Sequence, residues 1–161
     1  MSRLAAAPPR RASFTEDKRI AALEQPLHSA GTLAYSRPDH LEKITMSPAP
    51  ERLVVDGARL TATAGNNAPR VVDLGGQPAA LALVDTIRGV LTGNLALLRR
   101  SYDVTAAGTP STWRLVLRPS EPAMARLVRE VRIDGVGADV RSIDTVQANG
   151  DADRLTITPL P

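Results

Sequence analysis

The sequence predicts an α+β domain in which helices pack against one antiparallel sheet. Short runs that alternate apolar and polar residues fill most of the chain and predict strands. One long apolar segment, from Pro78 to Arg100, interrupts these runs and predicts a pair of helices. The 161 residues have the size of one domain. Strands and helices that are segregated along the chain in this way are typical of α+β folds.

The composition excludes several classes of function. The 20 basic residues stand singly or in pairs, without a longer basic run, among 17 acidic residues and few aromatic ones, so we expect no nucleic-acid binding. The chain has no cysteine, which excludes disulfides, thiol catalysis and a lipid anchor on an N-terminal cysteine. No segment approaches the roughly 20 apolar residues of a membrane span, and the stretch MSRLAAAPPRRAS is not an intact secretory signal.

The N-terminal region predicts a disordered lead-in, residues 1–12, before a single folded domain, residues 13–161. The lead-in consists of Pro, Ala and Arg without periodicity. Ser13 and Glu16 then have the spacing of a capping box. The apolar residues that follow predict a short amphipathic helix ending at Pro26.

Consecutive short strands are predicted after Gly31. Asp56-Gly57 is a two-residue hairpin signal between alternating apolar residues. After the helices, the sequence predicts strands at YDVTA and TWRLVLRP, and then a long hairpin that turns between Gly135 and Asp139. The segment DRLTITP is the last predicted strand.

The segment between the two blocks of strands predicts two helices with a break at Gly93. Asn94 is a favourable N-cap for the second helix. The first helix is apolar almost all round, and its polar strip is Asp85, Thr86 and Arg88. A helix with so little polar surface has to be covered on more than one side.

Candidates for catalysis or metal binding are few. His28 and His40 lack the neighbours of a catalytic triad and the spacing of a metal site. The stretch NGDAD has too few carboxylates for a calcium loop, and a hairpin turn explains it better. We therefore expect no enzyme, no metal site and no cofactor.

Arg37 shares a predicted strand face with apolar residues. Counting by twos from Leu33 places Leu33, Tyr35 and Arg37 on one face, since successive strand residues point to opposite sides. An unpaired guanidinium on an apolar face is costly. Arg37 therefore either has a buried partner or extends to solvent at the strand end, just before Pro38.

Together, the segments GTLAYSRPDHL, LVVDGARLTA, the helix pair and the ending LTITP resemble the periplasmic lipoprotein carrier family of the LolA type. The resemblance implies an incomplete, strongly curved antiparallel β-barrel, with helices acting as a lid over a hydrophobic cavity. It also implies that Arg37 is the lid latch, which hydrogen-bonds lid carbonyl groups until cargo arrives.

The predicted cavity is lined by residues of the strands and of the first helix. They are Leu33, Tyr35, Ile44, Met46, Leu53, Val55, Leu60, Leu81, Val84, Ile87, Leu91, Leu115, Leu117, Val131 and Ile133. A filled core would use the same residues, because a sequence does not distinguish a core from a cavity.

The resemblance implies a soluble, monomeric carrier of the periplasm that shields the acyl chains of lipoproteins or of another lipid. Its partners would be an inner-membrane donor and an outer-membrane acceptor. The few aromatic residues and the short end TITPLP differ from typical carriers and favour a variant that carries another lipid or a polyene. An interaction or sensor module of the same fold is the alternative, and a cavity large enough for a chain would distinguish the two.

Overall fold

The structure is a computed structural model that describes residues 10–36 and 40–160, with the backbone alone described at residues 10, 78–80, 82, 83 and 92. Its strands are β1 (Arg10–Arg19), β2 (Leu27–Ser36), β3 (His40–Ser47), β4 (Glu51–Asp56), β5 (Arg59–Ala64), β6 (Arg70–Asp73), β7 (Tyr102–Gly108), β8 (Trp113–Pro119), β9 (Val128–Val136), β10 (Asp139–Gln147) and β11 (Ala152–Pro159). Its helices are α1 (Pro78–Thr92), α2 (Leu95–Arg99) and α3 (Pro122–Ala125), and a short 3-10 turn, Leu74–Gly76, precedes α1.

All of these strands form one antiparallel sheet of 11 strands, in the order β6-β5-β4-β3-β2-β1-β11-β10-β9-β8-β7. Most neighbours in the sheet are also neighbours in the chain. The exception is the pairing of β1 with β11, which runs from Ala12 opposite Pro159 to Arg19 opposite Ala152 and is called the seam below. The seam joins two meanders, β1–β6 and β7–β11, into a curled sheet that remains open at β6 and β7.

The helices cover one face of this sheet, which we call the inner face. Alternate residues of the strands point to it, as the two-residue period of a strand requires. Its fully buried residues on the sheet include Phe14, Leu33, Leu115, Leu117, Val131, Ile133, Ile143 and Ile157. Val90 and Leu91 of α1 and Leu98 of α2 belong to the same cluster. Each such side chain contributes about 1.5 to 3 kcal/mol by leaving water.

The predicted N-terminal helix is wrong, because residues 10–19 form strand β1. Ala12, Phe14 and Glu16 are buried there in strict alternation, which is the period of a strand. Pairing with β2 on one side and β11 on the other provides long-range contacts that outweigh the local capping signal. The end of the predicted lead-in, residues 10–12, thus belongs to the sheet, while residues 1–9 lie outside the described part of the chain.

The predicted helix pair and hairpin turns are confirmed. Gly93 ends α1 in the left-handed conformation with φ of 70°, and the Asn94 side chain accepts a hydrogen bond from the Leu97 N–H at 3.1 Å. The β4–β5 turn contains Gly57 with φ of 61°, and the β9–β10 turn contains Gly137 with φ of 59°. Helix α3, a single turn that buries Met124, was not predicted from the sequence.

The strand assignment of β1 predicts that substitutions at neighbouring residues differ strongly in their effect on stability. Phe14→Ala empties a buried site and should lower the free energy of unfolding by about 3 to 5 kcal/mol in urea denaturation. Thr15→Val changes an exposed position on the outer face and keeps a β-branched side chain, so it should change stability by no more than about 0.5 kcal/mol. Equal losses in the two variants would contradict the strand register.

Candidate functional site

The structure divides the predicted cavity residues into three groups. The first group is fully buried and consists of Leu33, Val55, Leu91, Leu115, Leu117, Val131 and Ile133. The second group is only half-buried and consists of Tyr35, Leu53, Leu60, Leu81, Val84 and Ile87. The third group, Ile44 and Met46, does not reach the inner face.

The placement of Ile44 and Met46 on the inner face is wrong. Leu33 of the inner face lies opposite Lys43, whereas Ile44 lies opposite Thr32 on one side and Arg52 on the other. Because a shift of one residue moves a strand residue to the other face, Ile44 belongs to the outer face. Met46 is 58% exposed. The pairing of β2 with β3 set this register, and the alternation within β3 alone did not reveal it.

A row of apolar side chains crosses the inner face of the first meander. Its members lie directly opposite one another on successive strands and are Tyr35, Leu41, Val55, Leu60 and Val72. We call them the apolar row. Val55 is buried, and the other members are half-buried. Side chains opposite one another in a sheet are within contact distance, so the row forms a continuous apolar surface from β2 to β6.

A buried arginine ties α1 to the β4–β5 turn, beside the apolar row. Arg88 is 7% exposed, and its guanidinium donates hydrogen bonds to Asp85 Oδ1 at 3.1 Å and to the carbonyl oxygen of Gly57 in the β4–β5 turn. The Leu74 N–H donates to the next carbonyl of that turn, Ala58, at 2.7 Å. The partners of the guanidinium offset the cost of burying its charge.

A second polar contact ties α1 to the opposite edge of the sheet. The hydroxyl groups of Thr86 and of Tyr102 at the start of β7 are hydrogen-bonded at 2.9 Å, and both residues are buried. Burial raises the pKa of the Tyr102 phenol, and the hydrogen bond with Thr86 offsets part of this effect. The polar strip that the sequence showed on α1 is therefore turned towards the protein, where it connects the helix to both meanders.

A cleft of about 260 Å³ lies beside α1, between this helix, α2 and the start of β7. Its lining includes Leu81 and Leu97 as apolar walls, and Asp85, Arg100 and Glu121 as charged groups. Ligand sites usually have volumes of about 300 to 1,000 Å³. The cleft is thus at the lower limit for a small molecule, and Leu81 is the predicted cavity residue that lines it.

The remaining predictions concern the latch residue Arg37, metal binding and membrane-spanning segments. Arg37 lies outside the described residues, so its role as a latch stays a prediction. Residues 10–36 and 40–160 contain no group of three His, Cys, Asp or Glu side chains that is placed to hold a metal ion. Within the same ranges, no helix has the length and apolar character needed to cross a membrane.

Comparison with models of known families shows the family to which the chain belongs. The family model described as outer membrane lipoprotein carrier protein LolA-like matches residues 1–159. The chain belongs to this LolA-like family. The prediction from the sequence segments is therefore confirmed, and the family description names a carrier. A search of curated proteins found no match to this LolA-like protein.

Two solved structures are similar to the LolA-like protein. One is a LolA superfamily protein from Nitrosomonas europaea, with 7% sequence identity and a TM-score of 0.47 over 98% of this chain and 89% of that chain. The other is a chain of the Pseudomonas aeruginosa MucA/MucB complex, with 14% identity and a TM-score of 0.48 over 98% of this chain. The LolA-like protein spans about half of that chain, 53%.

The burial of the Thr86 and Tyr102 hydroxyl groups leads to a prediction about the ionisation of Tyr102, which absorbance can test. The chain has 2 tyrosines, and we expect Tyr102 to ionise above the ordinary pKa of 10. In the folded protein, the absorbance of phenolate should therefore show a step at a pH above 10, and Tyr102→Phe should remove it. The variant leaves the Thr86 hydroxyl without this partner, and should lose about 0.5 to 1.5 kcal/mol of stability. Persistence of the high-pH step in Tyr102→Phe would contradict the assignment.

Proposed function

We propose that this LolA-like protein is a carrier that holds the acyl chain of a lipid or lipoprotein between α1 and the apolar row. The apolar row carries the proposal, because its side chains are aligned across five strands and yet most are only half-buried. Such a surface gains stability from an apolar ligand at about 0.8 kcal/mol for each methylene group that leaves water. Membership of a carrier family supports the same conclusion.

The two meanders have different parts in this proposal. In the second meander, Leu117 and Ile133 are 0% exposed and Val131 is 2% exposed. These side chains belong to a filled core, and a ligand would have to displace them at a cost of several kcal/mol. In the first meander, Leu53 and Leu60 of the inner face are only half-buried. The acyl chain is therefore assigned to β2–β6, and the second meander acts as the rigid support.

Helix α1 is proposed to be the lid, held shut by a small number of hydrogen bonds. Arg88 holds it to the β4–β5 turn and Thr86 holds it to β7. A hydrogen bond to a charged group contributes about 1.5 to 3 kcal/mol, and a neutral one about 0.5 to 1.5 kcal/mol. Burial of a few methylene groups offsets such a cost, so cargo that enters the row can shift the lid towards an open state. Arg37 is proposed as a further latch.

The cellular setting of the proposal follows the family. The protein would work in the periplasm, take its cargo from an inner-membrane donor and pass it to an outer-membrane acceptor. A lipoprotein, another lipid or a polyene would each supply the apolar chain that the row accepts. A protein that binds no acyl chain would instead be an interaction or sensor module of this fold.

Binding of a fluorescent acyl probe, dansyl-undecanoic acid, tests the proposed site. We expect the probe to bind with one-to-one stoichiometry, and Leu60→Ser to weaken binding by roughly tenfold because the row loses one apolar side chain. Val71→Ser is the matched control on β6, since Val71 is 63% exposed and lies outside the row. Absence of probe binding by the native protein, or equal weakening by both variants, would exclude this site.

Arg88→Met tests the lid. Methionine keeps an apolar stem but donates no hydrogen bond to Gly57, so we expect a loss of about 1.5 to 3 kcal/mol in stability and faster amide exchange in α1. Stopped-flow displacement should show a shorter residence time of the acyl probe. Arg99→Met, at an exposed position in α2, should leave exchange and release unchanged. If the acyl probe has the same residence time in Arg88→Met as in the native protein, Arg88 is not a lid latch.

A further inference from the structure

The seam contains a cluster of buried charged groups that the proposed lid and apolar row do not use. Glu16 on β1 is 6% exposed and faces the interior. On β11, Asp153 lies on the same face and diagonal to Glu16, which is directly opposite Leu155, and each of the two carboxyl groups shifts the pKa of the other. The Lys43 ammonium lies 2.9 Å from Glu16 Oε1 and 5.1 Å from the centre of the Phe14 ring. Two carboxyl groups therefore face each other across the only pairing that joins the meanders in the described sheet, with one close cation.

Lys43 reaches Glu16 from two strands away. Its own strand, β3, is separated from β1 by β2, where Gly31 has no side chain. A Cβ at Gly31 would lie 1.8 Å from the carbonyl oxygen of Ile44, so no larger residue is accommodated there. The Lys43 side chain crosses β2 and pairs with Glu16, whereas no cation of the described residues forms an ion pair with the second carboxyl, Asp153.

The hydrogen bonding of Asp153 requires a proton. Its Oδ1 atom is buried and accepts no hydrogen bond from any of the described residues. Two ionised carboxylates only accept hydrogen bonds, whereas one protonated carboxyl donates to the other. A single shared proton therefore satisfies the pair, and its loss leaves two buried acceptors and two negative charges side by side.

The other groups around the pair do not replace this proton. Lys18 of β1 lies opposite Asp153 and is exposed, so water screens its charge. The neighbouring strands β2 and β10 present the uncharged Ser29 and Thr145 to the cluster. Asp153 is only partly buried near the start of β11, which allows its carboxyl to exchange a proton with water.

We propose that Glu16, Asp153 and Lys43 form a proton-sensitive joint at the seam, which loosens the contact between the two meanders when Asp153 loses its proton. The seam is the strand pairing that joins the two meanders in the described sheet, so their relative orientation depends on it. Proton binding would therefore set how firmly the two halves of the inner face are held together. This inference does not depend on the identity of the cargo.

The direction of the pH dependence follows from the environment of each carboxyl. Burial, together with the neighbouring Glu16, raises the pKa of Asp153 to about 7 from its ordinary value of 3.8. Burial alone would raise the pKa of Glu16 as well, but the hydrogen bond with Asp153 and the charge of Lys43 outweigh burial and lower it. The stabilisation by the Asp153 proton is thus fully present below about pH 4 and is lost as the pH rises to about 7.

Comparison of the native protein with Asp153→Asn tests the joint. The amide is a neutral donor to Glu16 at every pH. Relative to this variant, the folding equilibrium constant of the native protein should fall by up to about tenfold for each pH unit between pH 5 and 7, and stay level above pH 8. Taking the difference removes contributions to the pH dependence that the two proteins share. Asp144→Asn is the control, because Asp144 pairs with Arg154 at 2.7 Å on the outer face and should leave the native slope unchanged.

Two further measurements on the native protein keep the proposal testable if Asp153→Asn does not fold. The carboxyl carbon resonance of Asp153 should titrate near pH 7, and titration below pH 5 would overturn the joint. Amide exchange, corrected for its intrinsic pH dependence, should quicken in β1 and β11 between pH 6 and 8 while β8 and β9 stay protected. Equal slopes in the native protein and Asp153→Asn, or loosening spread evenly over the sheet, would also refute it.

Discussion

The pairing of β1 with β11 is the constraint on which the other features of the molecule depend. Every other strand pair of the described sheet joins neighbours in the chain, so each meander forms from local contacts, whereas the seam brings residues such as Phe14 and Ile157 together from opposite ends of the sequence. This pairing places the free edges β6 and β7 at the two sides of the curled sheet. Because the chain has to pass from one edge to the other, α1 and α2 are positioned over the inner face.

The polar groups of the interior have a different structural role from the apolar groups. Aliphatic burial provides most of the stability, and it is concentrated in the second meander, where Leu117 and Ile133 are completely enclosed. Polar contacts instead determine the position of α1, since Arg88 donates to the Gly57 carbonyl and Thr86 is hydrogen-bonded to the Tyr102 hydroxyl, each in a specific direction. Hydrogen bonds are directional and modest in net energy, so they suit contacts that have to break and form again.

The inner face also changes character along its strands. At the end near the β4–β5 turn, the apolar row presents hydrocarbon from β2 to β6. Nearer the opposite end, Lys43, Glu16 and Asp153 introduce charge. An amphiphilic ligand with its chain along the row would therefore lie within the same curled sheet as a cluster that responds to pH. The two features share strand β3 but use different residues, so the residues of one can be substituted without replacing those of the other.

By itself, the sequence determined most of the strands, the helix pair and the family. Local signals are sufficient for these features, because Gly57 and Gly93 mark turns through their backbone freedom and Asn94 caps a helix with its own side chain. Only the tertiary structure decided that residues 10–19 form a strand, that Ile44 faces outwards and that Arg88 and Glu16 are buried. These outcomes depend on strand register and on partners such as Asp153, more than 100 residues away in the chain, and the physical reason is that long-range pairing outweighs local propensity.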